Sequence, residues 1–275
     1  MKDHTTVEVT KIRKSGVFSI QDEVIREIPL TIRINGTPCA TLMRTPGRER
    51  ELALGFCFTE GILPDSWREG GLQWEDCNPQ GNTIGLQIEH SPAFQPARPL
   101  SSPSSLTDSA EIRFMEPEPS GDETEIANRI SPSVGTIDCQ LRIPLPVLHS
   151  IEGQARQKQA LFTLTGATHA ACIFDHQGNY LFCFEDMARH NALDKAIGHA
   201  LLAGVELGDK ILFLSGRTNY TLICKAARCR IPLVASVSAP TSLAVSLSRR
   251  VGITLIGFLR SGEMNIYAGA ERIVM

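Results

Sequence analysis

A chain of 275 residues, 42% hydrophobic and 21% charged, is long enough to bury a substantial core, as one large domain or two modest ones. A formal net charge of −3 offers no strongly basic surface, so nucleic acid is not an expected partner, although a local basic cluster can still hold an anion. No run approaches the roughly 18 to 20 apolar residues that span a bilayer, and the opening MKDHTTVEVTKIRKSG lacks the apolar core of a signal peptide, so no membrane association and a cytoplasmic setting are expected.

Residues 7–43 alternate as strands do: VEVTKI, GVFSIQDEVI and IPLTIRING, with Asn35-Gly36 as a two-residue hairpin signal before CATLMRT. In TPGRERELALGFCFTEGIL the period changes, and Pro46 and Gly47 are placed to begin a helix. From Ser91 to about Ser133, prolines and serine runs predict mostly loop, with short strands at IGLQIEH before it and EIRFME within it. Residues 120–140, with Gly121, Pro132, Gly135 and few large apolar groups, are expected to be mobile.

After Pro146 the pattern is regular. VLHSIEGQARQKQALF predicts a helix, HAACIFD and YLFCFE predict strands joined by HQGN, and NALDKAIGHALLAG predicts a helix closed by Gly204. Then follow strand KILFLS, a helix around YTLICKAARC, strand PLVAS, helix SLAVSLSRRVG, and strand ITLIGFLR with NIYAG behind it. Strand and helix in alternation is the signature of a βαβ sheet covered by helices.

Eight cysteines stand at 39, 57, 77, 139, 172, 183, 224 and 229. Five lie inside apolar runs such as LGFCFTEG, AACIFD and YLFCFE, and are expected to be buried free thiols. Without any Cys-x-x-Cys, and with Cys224 and Cys229 on and just after one helix, no structural metal is expected.

In an open α/β sheet, ligands sit beyond the carboxyl ends of the strands, where helices begin with unpaired N–H groups. Here the exits are DMARHN, SGRTN, SVSAPTS and LRSGEMN, all polar, three of them with arginine. Any one has a structural explanation, because Ser, Thr, Asn and Asp cap helices and Gly and Pro make turns. Together, Arg189, Arg217 and Arg260 beside Ser215, Gly216, Ser236, Ser238 and Thr241 supply the charge, hydroxyls and close backbone approach that phosphates need. An anionic, nucleotide-like ligand is the inference. His169, just before a strand, fits a satisfied buried histidine and a ligand contact equally well. His190, at a helix entrance, is better placed to touch a ligand, and the helix N-terminus favours its neutral form. If His190 faces phosphates, anion affinity should rise as pH falls through about 6.5. A zinc deaminase is disfavoured, since Ala170 and Ala171 follow His169 where His-x-Glu would be required and no Cys-x-x-Cys follows.

The blocks IPLTIRING, MRTPGRERELALGFCFTEGI, TGATHAACIFD, EDMARHNALDKAIGHAL, SGR, SVSAPTSLAVSLSRRVGITLIGFLR and MNIYAG closely resemble the formate dehydrogenase accessory sulfurtransferase family, FdhD/NarQ, over residues 28–63 and 161–272. The resemblance implies a cytidine-deaminase-like, three-layer α/β/α domain over 131–275, a smaller β-rich N-terminal part over 1–130 whose strands are free to join its sheet, and a homodimer. It also implies a carrier of sulfur from a cysteine desulfurase to the molybdenum cofactor, in its bis(molybdopterin guanine dinucleotide) form, destined for formate dehydrogenase. By the same resemblance the cofactor would meet the segment Phe258, Leu259, Arg260, Ser261, Gly262 and Glu263. Asp186, Arg189, His190 and Asn191 would then form one wall of its pocket, with Arg44 to Gly47 as another.

One block departs from the family. Sulfur-carrying members have a Cys-Gly-x-Cys-Gly type loop, where this chain has RISPSVGTIDCQ. Aligning Gly135 with the first glycine puts Val134 and Ile137 at the cysteine positions, and Cys139 is the thiol nearby. A persulfide carrier needs an exposed, mobile thiolate. Two readings follow: a sulfur carrier using Cys139 as a displaced nucleophile, or a cofactor-binding and delivery protein without sulfur transfer.

Overall fold

The computed structural model describes residues 2–63, 67, 71–76, 82–88 and 122–275, arranged as a mixed α/β fold. Strands β1 (His4–Arg13) and β2 (Gly16–Ile25) form a separate antiparallel ribbon. Strands β3 (Ile28–Ile34) and β4 (Thr37–Arg44) pair through a turn in which Asn35 and Gly36 both have positive φ, 48° and 78°, as the Asn-Gly signal requires. With β5 (Leu72–Asp76) and β6 (Thr83–Ile88) they make a sheet of order β4-β3-β6-β5. Alternate residues Leu30, Ile32 and Ile34 point inward, and helix α1 (Glu49–Thr59) closes that core with Leu52, Leu54 and Phe56.

The second part is a six-stranded sheet of order β13-β12-β11-β10-β8-β9, built from β8 (His169–Phe174), β9 (Tyr180–Asp186), β10 (Ile211–Leu214), β11 (Leu233–Ser236), β12 (Thr254–Arg260) and β13 (Glu263–Ala268). β10, β11 and β12 run parallel, while β8 is antiparallel to both β10 and β9. Every residue of β10 and β11 is buried, because both faces are covered. Leu212, Leu214, Val234 and Leu255 face helices α5 (Arg189–Ala203), α6 (Tyr220–Arg228) and α7 (Ser242–Val251). Ile211, Phe213, Leu233 and Ile256 face α3 (Leu145–Gln157) on the other side. The short strands β7 (Ile143–Pro144) and β14 (Ile273–Val274) pair beside α3.

Three expectations need correction. The helix predicted over VLHSIEGQARQKQALF is two: α3 stops at Gln157, and α4 spans Ala160–Thr165. The Glu185 carboxylate accepts the Leu161 and Phe162 amides at 2.9 and 2.8 Å, giving α4 its own N-terminal anchor. The segment expected to be mobile contains α2 (Glu123–Val134), capped by Asp122, whose carboxylate accepts the Thr124 and Glu125 amides. Pro132 is tolerated in its last turn, and Ala127, Ile130 and Val134 are buried in the α5–α7 layer. This helix crosses residue 130, where the sequence suggested a boundary. Lastly, Cys172 and Cys183 are not free thiols: they face one another across β8 and β9 and form a disulfide. Cys39, Cys57 and Cys224 are buried thiols outside any disulfide. The strand expected at EIRFME lies outside the described residues.

Candidate functional site at the carboxyl edge of the sheet

Because β9, β10, β11 and β12 point the same way, their exits lie along one edge, joined there by the amino end of antiparallel β8. The loops are laced together by backbone. Val237 N–H donates to Leu214 O at 3.1 Å, Thr241 N–H to Thr218 O at 2.9 Å, and Phe258 N–H to Ser238 O at 3.3 Å. A rigid shelf of strand exits results.

On this shelf Arg217 is exposed and Arg189 half-buried, next to His169 and Gly216. A side chain at residue 216 would place its Cβ 2.9 Å from His169 Nδ1, so only glycine lets the loop pass the ring. Burial lowers the His169 pKa; Arg189 and Arg217 lower it further, and Asp186 opposes them. Arg260 is exposed, its guanidinium 5.9 Å from the centre of the Phe258 ring. Phe258 and Ser261 both adopt φ of 54°, an uncommon backbone for residues with side chains. Beside them, Phe258, Arg260, Gly262 and Glu263 line a cavity of about 650 Å³, together with Leu145 and His149 of α3.

Other predicted site residues serve the fold. Leu259 is 1% exposed and belongs to the core under α3. Ser236 is buried and its hydroxyl is engaged with Ser238 O at 2.9 Å. Ser215 Oγ accepts the Ala170 amide at 2.8 Å, and Thr241 caps α7. Ser238 lends its carbonyl to Ser236 and Phe258.

The cluster EDMARHN divides in two. Asp186, fully buried, accepts from Thr45 N–H at 3.1 Å, Ala188 N–H at 3.0 Å and Asn191 Nδ2 at 3.1 Å, and pairs with Lys195 Nζ at 2.7 Å. Asn191 Nδ2 also donates to Met43 O at 2.7 Å, and Lys195 Nζ to Thr45 O at 3.0 Å. Buried Arg44 pairs with Glu49 at 3.0 Å. Asp186 and Asn191 therefore fasten the N-terminal sheet to the C-terminal one instead of forming a pocket wall. His190 is also turned inward: its Nε2 lies 2.7 Å from Thr221 Oγ1. Burial, then Lys225 and Arg189, push its pKa down to about 3. It is neutral at pH 7, and the pH response assigned to it from sequence does not belong there.

The sequence reading missed a second part of this seam. Lys225 Nζ donates to Thr59 Oγ1 and Glu60 Oε1 at 2.8 Å and to both Asp194 oxygens at 3.0 Å, all buried. Burial pushes the Asp194 carboxyl up to about 6, with Lys225 opposing and Glu60 adding to the shift, while the two carboxylates raise the Lys225 pKa. Beside this network α1 and α5 cross at Gly55 and Gly198, where a Cβ on either would run into the other helix's backbone. A lysine on the buried face of α6 was the available signal.

Cys139 lies elsewhere. Its Sγ is 3.8 Å from Gly208 O, ahead of β10, and Ile137 N–H donates to Val251 O at 2.7 Å, ahead of β12. It is therefore at the amino edge, separated from the strand exits by the length of β10, about 13 Å for four residues. Val134 and Ile137 are each 7% exposed and sit in the core. No described helix is long and apolar enough to cross a membrane.

The sequence model of the FdhD/NarQ family matches residues 25–274. The chain belongs to that family. It is 36% identical over 276 residues to "Sulfur carrier protein FdhD" of Streptomyces avermitilis, covering 98% of this chain and 95% of the relative. Against the protein of the same name from Mycobacterium tuberculosis it is 36% identical over 285 residues, 96% of each chain. An FdhD from Saccharolobus solfataricus is 31% identical over 97% of this chain and 96% of its own. In fold, the chain is similar to the crystal structure of a protein assigned as a formate dehydrogenase accessory protein, from Desulfotalea psychrophila, with a TM-score of 0.75 and 23% identity over 98% of this chain and 99% of that one.

Proposed function

We propose that this FdhD-family chain is a cytoplasmic accessory protein of formate dehydrogenase that binds the guanine dinucleotide form of the molybdenum cofactor as cargo, along the carboxyl edge of its six-stranded sheet. The convergence of Arg189, Arg217 and Arg260 on that one edge carries the reading. From β9 to β12 the edge spans four strand spacings, about 19 Å at about 4.8 Å each, so a ligand touching all three exits must be extended, as a dinucleotide is. The cavity beside Phe258 and Arg260 suits a planar ring system. The helices on both sheet faces agree with a cytidine-deaminase-like three-layer domain, and the homodimer of the resemblance is proposed with it.

GDP serves as a partial mimic for the test. Calorimetry should detect its binding, and Arg217→Ala or Arg260→Ala should weaken it by about 1 to 3 kcal/mol. Unchanged affinity in both variants contradicts the assignment.

The sulfur step has two readings. The names of the relatives favour a sulfur carrier; in that reading a cysteine desulfurase is the donor and Cys139 the nucleophile. The position of Cys139 at the opposite edge, and the buried Val134 and Ile137, favour binding and delivery without transfer. Incubation with a desulfurase and cysteine, followed by intact mass, separates them: added sulfur that Cys139→Ser abolishes supports the carrier, and no added sulfur supports delivery.

A further inference from the structure

We propose that His169 is the pH-responsive oxyanion contact of this edge, gripping a phosphate or pyrophosphate group together with Arg189 and Arg217 where Gly216 passes its ring. The inference rests on the nucleotide reading above and adds to it the residue that recognises the ligand's charge.

Position supports it first. β8 is antiparallel to β10, so its first residue arrives at the edge where β9 and β10 end, and His169 pairs in register with Asp186. Ser215 N–H donates to Ala170 O at 3.0 Å while Ser215 Oγ accepts the Ala170 amide at 2.8 Å, so the β10 exit is locked to the residue beside His169. The ring is thus held by backbone. Gly216 lies against it, with its hypothetical Cβ 2.9 Å from Nδ1 and 3.1 Å from Cε1, and the ring stays half-exposed.

Charge supports it next. The ionisable groups facing the ring are Arg189 and His190 from α5, Arg217 from the β10 exit and Asp186 from β9. His190 is neutral and engaged with Thr221, and the Asp186 carboxylate is paired with Lys195. Partial burial and then the two guanidiniums lower the His169 pKa, so the ring is neutral at pH 7 in the unliganded protein. A doubly charged oxyanion placed among them reverses the balance. The imidazole takes up one proton from solvent as the anion arrives, giving a third cationic donor. Because binding consumes a proton, affinity rises as pH falls, and the rise ends once pH is below the pKa of the unliganded ring.

The test uses the full chain with inorganic pyrophosphate and with GDP. The His169 ring is titrated by NMR with and without each ligand, and affinity is measured between about pH 5.5 and 8 for wild type and His169→Gln. The glutamine variant reports the ligand's own protonation. The His169 pKa should rise on binding, and wild-type affinity should gain on His169→Gln by up to tenfold toward low pH for each unit of that rise. Gly216→Ala, which displaces the ring, should lower that gain. An unmoved ring pKa with parallel affinity curves overturns the inference, and GDP binding in the same experiment leaves the nucleotide reading standing. A ring that responds to pyrophosphate in a protein that ignores GDP supports the anion contact and overturns the nucleotide reading. If neither ligand binds, both fall. Should His169→Gln fail to fold, the wild-type ring titration alone decides.

Discussion

The carboxyl edge of the six-stranded sheet and the seam that joins it to the N-terminal sheet are both rich in charge, and they spend it differently. At the seam, Asp186, Lys195, Asn191, Lys225, Asp194 and Glu60 are buried and pair with one another or with the backbone of Met43 and Thr45. At the edge, Arg217 and Arg260 reach solvent and the His169 ring, packed against Gly216, stays half-exposed. Within EDMARHN the two uses alternate along a few residues. A dense polar cluster in sequence therefore signals a need for polar partners without saying whether the protein or a ligand supplies them; burial decides.

The seam can be broken in graded ways that should leave the edge chemistry as a separate property. The largest effect is expected from Lys225→Met, which leaves Glu60 and Asp194 buried without their cation and should cost about 3 to 5 kcal/mol in denaturant unfolding. A loss within about 0.5 kcal/mol would mean that the network contributes little. Gly198→Ala comes next. The added methyl meets the Glu51 carbonyl and must push α1 from α5, an overpacking cost of about 1 to 3 kcal/mol, visible as a lowered Tm.

A pH-dependent effect of comparable size belongs to His190. Its folded pKa, about 3, lies below the unfolded value, so its contribution is fully present above about pH 6.5 and is lost as pH falls toward 3, where the unfolded chain binds the proton first. Between pH 7 and 4.5 this amounts to about 2 kcal/mol. His190→Gln should flatten that part of the stability profile relative to wild type. Identical acid profiles would show that His190 is not held neutral in the folded protein.

Much of the fold was legible because it is written in local periodicity. The Asn35-Gly36 turn, the period-2 strands and the alternation after Pro146 each depend on residues a few positions apart. The strand-exit edge followed from the parallel order, which placed Arg189, Arg217 and Arg260 on one side. What stayed hidden depends on distant partners. The Gly55–Gly198 crossing, the Lys225 network and the Cys172–Cys183 bridge join segments that no local pattern relates. The inward turn of Asp186 and Asn191 is invisible until Met43–Thr45 arrives beside them. Helix α2 was masked by Pro132 and Gly135, and its stability comes from packing Ala127, Ile130 and Val134 on the α5–α7 layer.

The most direct test of the division between edge and seam is amide hydrogen exchange of the whole chain with and without saturating GDP. The account predicts added protection in the strand exits around Arg189 and at 215–219, 236–241 and 258–263, with no change at 43–60 or around Cys139. Protection confined to the seam or to the amino edge near Cys139, with the four exits unaltered, would contradict it.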